Sequence, residues 1–323
     1  MSTLVPAEGA ILSQILDATY DIWNEGLDRA AYERYNVAQL ATAWGRRRLR
    51  RLALVEGETV LASAKEYGFD AALDGRAIRV LGIGAVFTQP AHRGRGHARA
   101  LLQQILDRAA ADGVDAALLF SEIDPDFYAR LGFVPVETTD LELRVIESDR
   151  HGAPATLVRA GEERDLPAIA DMNARRAEAS RFHLVRDRDW IHYSIVKRRL
   201  LAGLGPPGMR DVQFFVAEEG ASAVAYVVIV ARSGEWWIDQ LGDRDPTGAR
   251  VGAILQALIA RDPAEKRPAI RAWLPHGFGP PQIQAVSKGA PRDVMMVKPL
   301  TPNGTPRSPL SARDVLYWHG DLF

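Results

Sequence analysis

Residues 89–102 read QPAHRGRGHARALL, which sets Arg93, Arg95 and Arg99 around Gly94 and Gly96, between an apolar run and a helical pattern. Glycine lets a backbone turn sharply and come close to a ligand with no Cβ in the way. The first N–H groups of a helix lack intrahelical acceptors, point outward and carry the positive end of the helix dipole. Together these features seat a phosphate, and arginines add fixed charge and forked donors. A lone G-x-G would read as a solvated surface turn. Here the strand before it, the helix after it and the arginine spacing agree. The chemistry expected at this turn is the binding of a pyrophosphate.

A second stretch, FSEIDPDFYARLGF (residues 120–133), follows the buried-strand pattern DAALLFS. Asp124 is a good N-cap, Pro125 suits the first helical position and Gly132 fits the end of a short helix. Tyr128 is thereby set on a short capped turn just past a strand. Its ring is half apolar, so packing against the core is the competing role.

These two stretches need a frame, and the rest of the chain supplies one. Its 323 residues suit two domains, with 47% hydrophobic and 25% charged residues. The net charge of −1 gives no case for nucleic acid as partner. The absence of cysteine excludes disulfide scaffolds, thiolate zinc sites and cysteine nucleophiles. Seven histidines without an H-x-x-x-H pair point to no metal. The N-terminus does not read as a signal peptide, and no stretch reaches the roughly 20 apolar residues of a membrane span, so the expected compartment is the cytoplasm, with no membrane partner.

Two helical patterns open the chain. Strands follow at 51–56, 59–67 and 76–88, then a helix from about Gly96 to Asp112 with Leu101, Leu102, Ile105, Leu106 and Ala109 on one face. The second half repeats the order, with strands at 156–161, 212–219, 223–231, 235–241, 269–274 and 293–299 and helices at 163–180, 189–203 and 248–260. Two copies of one mixed α/β unit account for this. The expected division is 1–150, 151–300 and a tail over 301–323, with the seam in the turn-rich ESDRHGAPAT. The basic run GRRRLRR (45–51) reads as a solvated helix end. In the strand EWWIDQL one of Trp236 and Trp237 faces inward.

Arg93-Gly94-Arg95-Gly96-His97-Ala98 resembles the signature Q/R-x-x-G-x-G/A of the GNAT superfamily of acyl-CoA-dependent N-acetyltransferases, with Arg93, Gly96 and Ala98 at its fixed positions. The order of elements over residues 1–150 is similar as well. The resemblance implies two tandem GNAT-like domains of α/β class, each a mostly antiparallel twisted sheet flanked by helices. It implies that the turn from Arg93 through Gly94, Arg95, Gly96, His97 and Ala98 to Arg99 holds the pyrophosphate of acetyl-CoA. The strand residues Val86, Phe87 and Thr88 would then offer backbone to the pantetheine arm, and Ser121 and Glu122 stand where related enzymes contact the cofactor. Tyr128 would protonate the departing thiolate.

The implied reaction is direct acetyl transfer to a primary amine of a small molecule or peptide in a ternary complex, since no cysteine can carry the acyl group. The amine must lose a proton, and Glu66, Asp70 and Glu122 are candidate bases. The chain is also similar to the tandem enhanced-intracellular-survival type, whose terminal phenylalanine brings its own carboxylate into the site. Phe323 is therefore expected in the first domain's cleft as base or amine anchor. Those relatives carry a third, sterol-carrier-like domain that is not expected here. They often assemble through their domains, so a homo-oligomer is an expectation too. In the second half, aligning Pro246 with Pro90 sets Gly252 against Gly96 but Ala249 against Arg93 and Ile254 against Ala98, with Asp243 and Asp245 nearby. That copy reads as degenerate. Because the fold also hosts non-enzymes, an acyl-CoA sensor or idle partner subunit is the alternative reading.

Overall fold

The computed structural model describes residues 2–146 and 157–323; the expected seam, residues 147–156, lies outside them. Contacts divide the chain into one unit of Met1–Glu137, Arg292–Ser311 and Phe323, and another of Thr138–Pro291 and Ala312–Leu322.

The first half runs β1 (Thr3–Pro6), α1 (Gly9–Trp23), α2 (Arg29–Ala41), α3 (Ala43–Arg48), β2 (Leu49–Glu56), β3 (Thr59–Leu73), β4 (Arg76–Thr88), α4 (His97–Ala111), β5 (Ala116–Ser121), α5 (Pro125–Ala129) and β6 (Val134–Val136). After it come β7 (Asp140–Val145), β8 (Leu157–Ala160), α6 (Leu166–Ala177), β9 (Phe182–Leu184), α7 (Arg188–Leu204), β10 (Arg210–Glu219), β11 (Ser222–Arg232), β12 (Glu235–Asp243), α8 (Ala249–Ile259), β13 (Ala269–Ala272), β14 (Ile283–Gly289), β15 (Val294–Pro299) and β16 (Val315–Leu316).

In the first unit the strands follow in the order β1-β2-β3-β4-β5-β15-β6. Every pair is antiparallel except β4–β5, which α4 joins as a parallel crossover. The helical spacing of Leu101, Leu102, Ile105, Leu106 and Ala109 lays one face of α4 on Leu52, Leu54, Ala62, Ala64 and Met296. Each such buried leucine or isoleucine contributes about 1.5–3 kcal/mol. The opposite sheet face packs Ala53, Val55 and Val60 against Ile15 of α1.

The second unit repeats the plan as β14-β7-β13-β12-β11-β10-β8, with β12–β13 its parallel pair and α8 the crossover. Two strands depart from chain order. β15 lies between β5 and β6, and β7 lies between β13 and β14. The linear division at 150 and 300 does not express that exchange, because ladder pairing is non-local while a strand's pattern is local. The stretch expected as one tail is likewise shared, with 301–311 in the first unit and 312–322 in the second. Among the described residues no helix is long and apolar enough to cross a membrane.

Candidate active site

The turn after β4 is built as a cradle. Gly94 and Gly96 have φ of +75° and +80°, in the left-handed region that glycine occupies at no cost, and a Cβ at either would meet nothing within 4 Å. Gly96 caps α4 with no side chain on the helix end. Among the described residues no backbone acceptor takes the amides from Gly94 to Arg99. Arg93, Arg95 and Arg99 are exposed around them, and Arg93 Nε donates to Thr88 O at 3.3 Å. Ala98 and His97 are half-buried, and His97 meets the edge of His92 at 6.0 Å. A flexible diphosphate fits this donor set.

Beside the cradle the sheet opens. β4 and β5 pair only from Val80–Ala116 to Ile83–Leu119, although β4 runs on to Thr88. Past Ile83 the register with β3 shifts, so Ala85 and Val86 together oppose Ala64, and Ala85 takes φ +48°. A bulge of this kind bends the strand and leaves its extra residue unpaired. Val86, Phe87 and Thr88 follow it, on the edge that β5 has left.

Phe323 lies at the same opening. Its ring packs 4.6 Å from Tyr67, 5.4 Å from Phe69 and 5.4 Å from Phe120. Two glycines of β4 make the space. A Cβ at Gly82 would stand 2.6 Å from Phe323 Cζ, and one at Gly84 would stand 2.6 Å from Phe323 O. The sequence reading missed both glycines. Their i, i+2 spacing in LGIGAVF, one face of a strand, was the available signal.

Tyr128 is half-buried on the capped turn, where Asp124 accepts from Phe127 N at 3.2 Å. Its ring meets Phe127 at 5.0 Å and Phe133 at 6.1 Å edge-on. Burial, helped by the Asp124 charge, pushes its phenol up to about 12, so the proton stays on oxygen at neutral pH. Ser121 is buried and donates to Ile123 O at 2.7 Å, which turns its hydroxyl into its own loop. Glu122 is exposed and pairs with Arg292 at 3.5 Å.

The three candidate bases are each held by an arginine. Glu66 is buried and bonded to Arg108; burial, opposed by that arginine, pushes its carboxyl up. Asp70 is exposed and pairs with Arg48 at 2.7 Å, as Glu122 does with Arg292. Strand alternation puts Glu66 on the α4 face with Ala62 and Ala64, opposite Tyr67 and Phe69. The basic run divides too. Arg46, Arg47 and Arg48 end α3, as expected of a helix end, but Arg51 stands in β2 and is 9% exposed.

In the second unit the corresponding seat is filled. Gly248, at φ +75°, caps α8 as Gly96 caps α4, so the counterpart of Gly96 is Gly248 and not the aligned Gly252. Asp243 accepts from Arg250 N at 2.9 Å and Val251 N at 3.2 Å, putting the protein's own carboxylate on the amides a phosphate would need. A Cβ at Gly248 would stand 2.7 Å from the Phe278 ring. Trp236 is buried there, while Trp237 meets His319 at 5.4 Å. Among the described residues no cluster of side chains could hold a metal ion.

Residues 12–136 match the sequence model of the acetyltransferase (GNAT) domain. No curated protein matches the chain. Among solved structures, a GCN5-related N-acetyltransferase from Anabaena variabilis is similar with a TM-score of 0.69 at 12% identity, over 93% of this chain and 73% of that one. Eis1 from Mycobacterium abscessus is similar with a TM-score of 0.56 at 15% identity, over 93% and 74%. The N-myristoyltransferase of Saccharomyces cerevisiae, with bound myristoyl-CoA, is similar with a TM-score of 0.55 at 10% identity, over 92% and 82%. These likenesses carry the fold, and the family match points to acyl transfer. The chain thus has the fold of two tandem GNAT-like units, and its residues 12–136 match the GNAT acetyltransferase domain.

Proposed function

We propose that the first unit transfers an acetyl group from acetyl-CoA to a primary amine of a small molecule or peptide, directly and in a ternary complex. The observation that carries this reading is the uncapped start of α4, ringed by Arg93, Arg95 and Arg99, beside a strand pair that parts at Ile83. The backbone from Gly94 to Arg99 would hold the pyrophosphate, and the freed edge at Val86, Phe87 and Thr88 the pantetheine arm. The myristoyl-CoA bound by the yeast structure supports a thioester of coenzyme A as the donor. An amide on the β4 edge, at Phe87 or Thr88, would stabilise the oxyanion. Tyr128, whose phenol keeps its proton, would give it to the leaving sulfur. Phe323, whose main-chain oxygen lies over Gly84, would meet the incoming amine as base or anchor. The second unit would take no cofactor, since Asp243 occupies its helix start.

The test pairs calorimetry of coenzyme A with thiol release from acetyl-CoA across a panel of amines. We expect one binding event per chain, thiol release with at least one amine, and a Tyr128→Phe enzyme slowed by about 10²–10⁴ with coenzyme A affinity unchanged. Binding without release across the panel would favour the sensor reading. No heat with coenzyme A would end both.

A further inference from the structure

One face of the first sheet carries a bare trough with a ring in it. Leu81, Ile83, Ala117 and Leu119 belong to the face that packs on α4, and side chains alternate along a strand. Tyr67 and Phe69 of β3, Gly82 and Gly84 of β4 and Phe120 of β5 therefore share the opposite face. Gly82 is the register partner of Tyr67 on one side and of Leu118 on the other. Glycine at both positions leaves a trough one side chain deep along β4, ending where β4 and β5 part past Ile83–Leu119. The Phe323 ring fills the closed end of that trough. A Cβ at Gly82 would meet its Cζ at 2.6 Å and its Cε2 at 2.9 Å, whereas one at Gly84 would meet its main-chain O. The surrounding wall is made of rings: Tyr67 at 4.6 Å, Phe69 at 5.4 Å and Phe120 at 5.4 Å. Trp44 of α3 backs Tyr67 at 6.4 Å and Phe69 at 5.4 Å. Trp44, Tyr67 and Phe69 are buried, while Phe120 and Phe323 are half-buried.

A pantetheine arm that starts at the glycine–arginine turn and runs down the edge at Thr88, Phe87 and Val86 carries its acyl group toward Gly84. From Thr88 to Gly84 the strand covers roughly 13 Å, and the Phe323 ring lies just beyond. We infer that this ring is the stop that sets acyl length, holding the donor to a short acyl thioester. This rests on the reading of a coenzyme A thioester as donor given above, and deepens it by naming the specificity-determining residue. It requires the ring of Phe323 and no charge on its main chain. With the ring in place, extra methylenes must either displace packed aromatics, which is overpacking, or turn out into water and forgo burial. With the ring removed, the glycine trough between Tyr67, Phe69 and Phe120 becomes an apolar slot open to an alkyl chain. Each methylene buried there should strengthen binding about fourfold.

The experiment compares the full chain with Phe323→Leu and Phe323→Ala, using acetyl-, butyryl-, hexanoyl- and dodecanoyl-CoA and one amine that the parent acetylates. The readouts are kcat/KM for each donor, calorimetric affinity for each thioester without amine, and thermal melting. Ratios between donors are taken within each variant, so a loss of turnover common to all donors cancels. The parent should favour acetyl-CoA over hexanoyl-CoA. Phe323→Ala should shift that ratio toward hexanoyl by about 10²-fold, the product of four methylenes at about fourfold each, and hexanoyl-CoA affinity should rise with it. Phe323→Leu, which keeps more of the packing, should shift the ratio less. Dodecanoyl-CoA should gain no more than hexanoyl-CoA, because the vacated slot is one ring long; a gain that keeps growing with length would mean general loosening and refute the stop. A parent that uses hexanoyl-CoA as well as acetyl-CoA, or a ratio unmoved in both variants, would refute it too while leaving acyl transfer standing. If the parent binds none of the thioesters, the reading of the donor falls and the stop falls with it.

Discussion

Replacing Gly84 with alanine adds one methyl group where Phe323 lies, and it isolates that contact. Gly84 does not have a positive φ, so the backbone accepts alanine without strain. The new Cβ would stand 2.6 Å from Phe323 O, 2.8 Å from Phe323 C and 3.3 Å from Tyr67 Cε2. Ordinary non-bonded contact begins near 3.5 Å, so Phe323 must retreat by roughly 0.9 Å. Overpacking a rigid core costs about 1–3 kcal/mol. Phe323 is only half-buried and can give way, which puts the expected loss of stability at the low end of that range. Turnover has no such escape, because a misplacement of about 1 Å costs on the order of 100-fold. We expect Gly84→Ala to melt near the parent and bind coenzyme A as the parent does, but to release thiol about 100-fold more slowly. Deleting Phe323 from the Gly84→Ala chain should then cost nothing further, since both changes remove one contribution. Undiminished turnover in Gly84→Ala, or full additivity with the deletion, would refute the reasoning.

Arg95→Gln and Arg99→Gln should each weaken coenzyme A binding by roughly three- to tenfold, with little change in kcat. Both side chains are exposed, so the loss should shrink as salt rises, which calorimetry at two ionic strengths would check. The second unit should lose stability in acid. His319 is buried, and burial holds it below its ordinary value despite Asp140 at 3.6 Å and the Asp239 charge; burial lowers His183 as well. The unfolded chain then takes up protons the folded unit refuses, so stability falls as pH drops through about 6.5. Melting temperature should decline between pH 7.5 and pH 5.5, and His319→Gln should flatten that slope.

Several features were legible in sequence because they are local. The glycine–arginine turn, the start of α4, its apolar face and the capped turn at Tyr128 each rest on neighbours within a few residues. The βαβ order around each crossover could be read for the same reason, since period and turn residues carry it. Strand exchange could not. Residues 294–299 and 140–145 have ordinary strand patterns, and nothing in either names the partner strand. Gly252 looked like the second phosphate glycine by alignment, yet Gly248 holds the left-handed cap, because the equivalence lies in backbone geometry and not in residue spacing. Three acidic residues looked alike as bases until the fold set Arg108, Arg48 and Arg292 against them.

What the sequence by itself determined is therefore the set of short-range devices: which residues turn, which start helices and which present donors. Only the tertiary structure decided what those devices face. The ladder register carries Arg51 and Lys65 to Gly84 and leaves room there for a residue more than 200 positions away. Contacts of that range are selected by the packing of whole strands, which no local run of residues encodes.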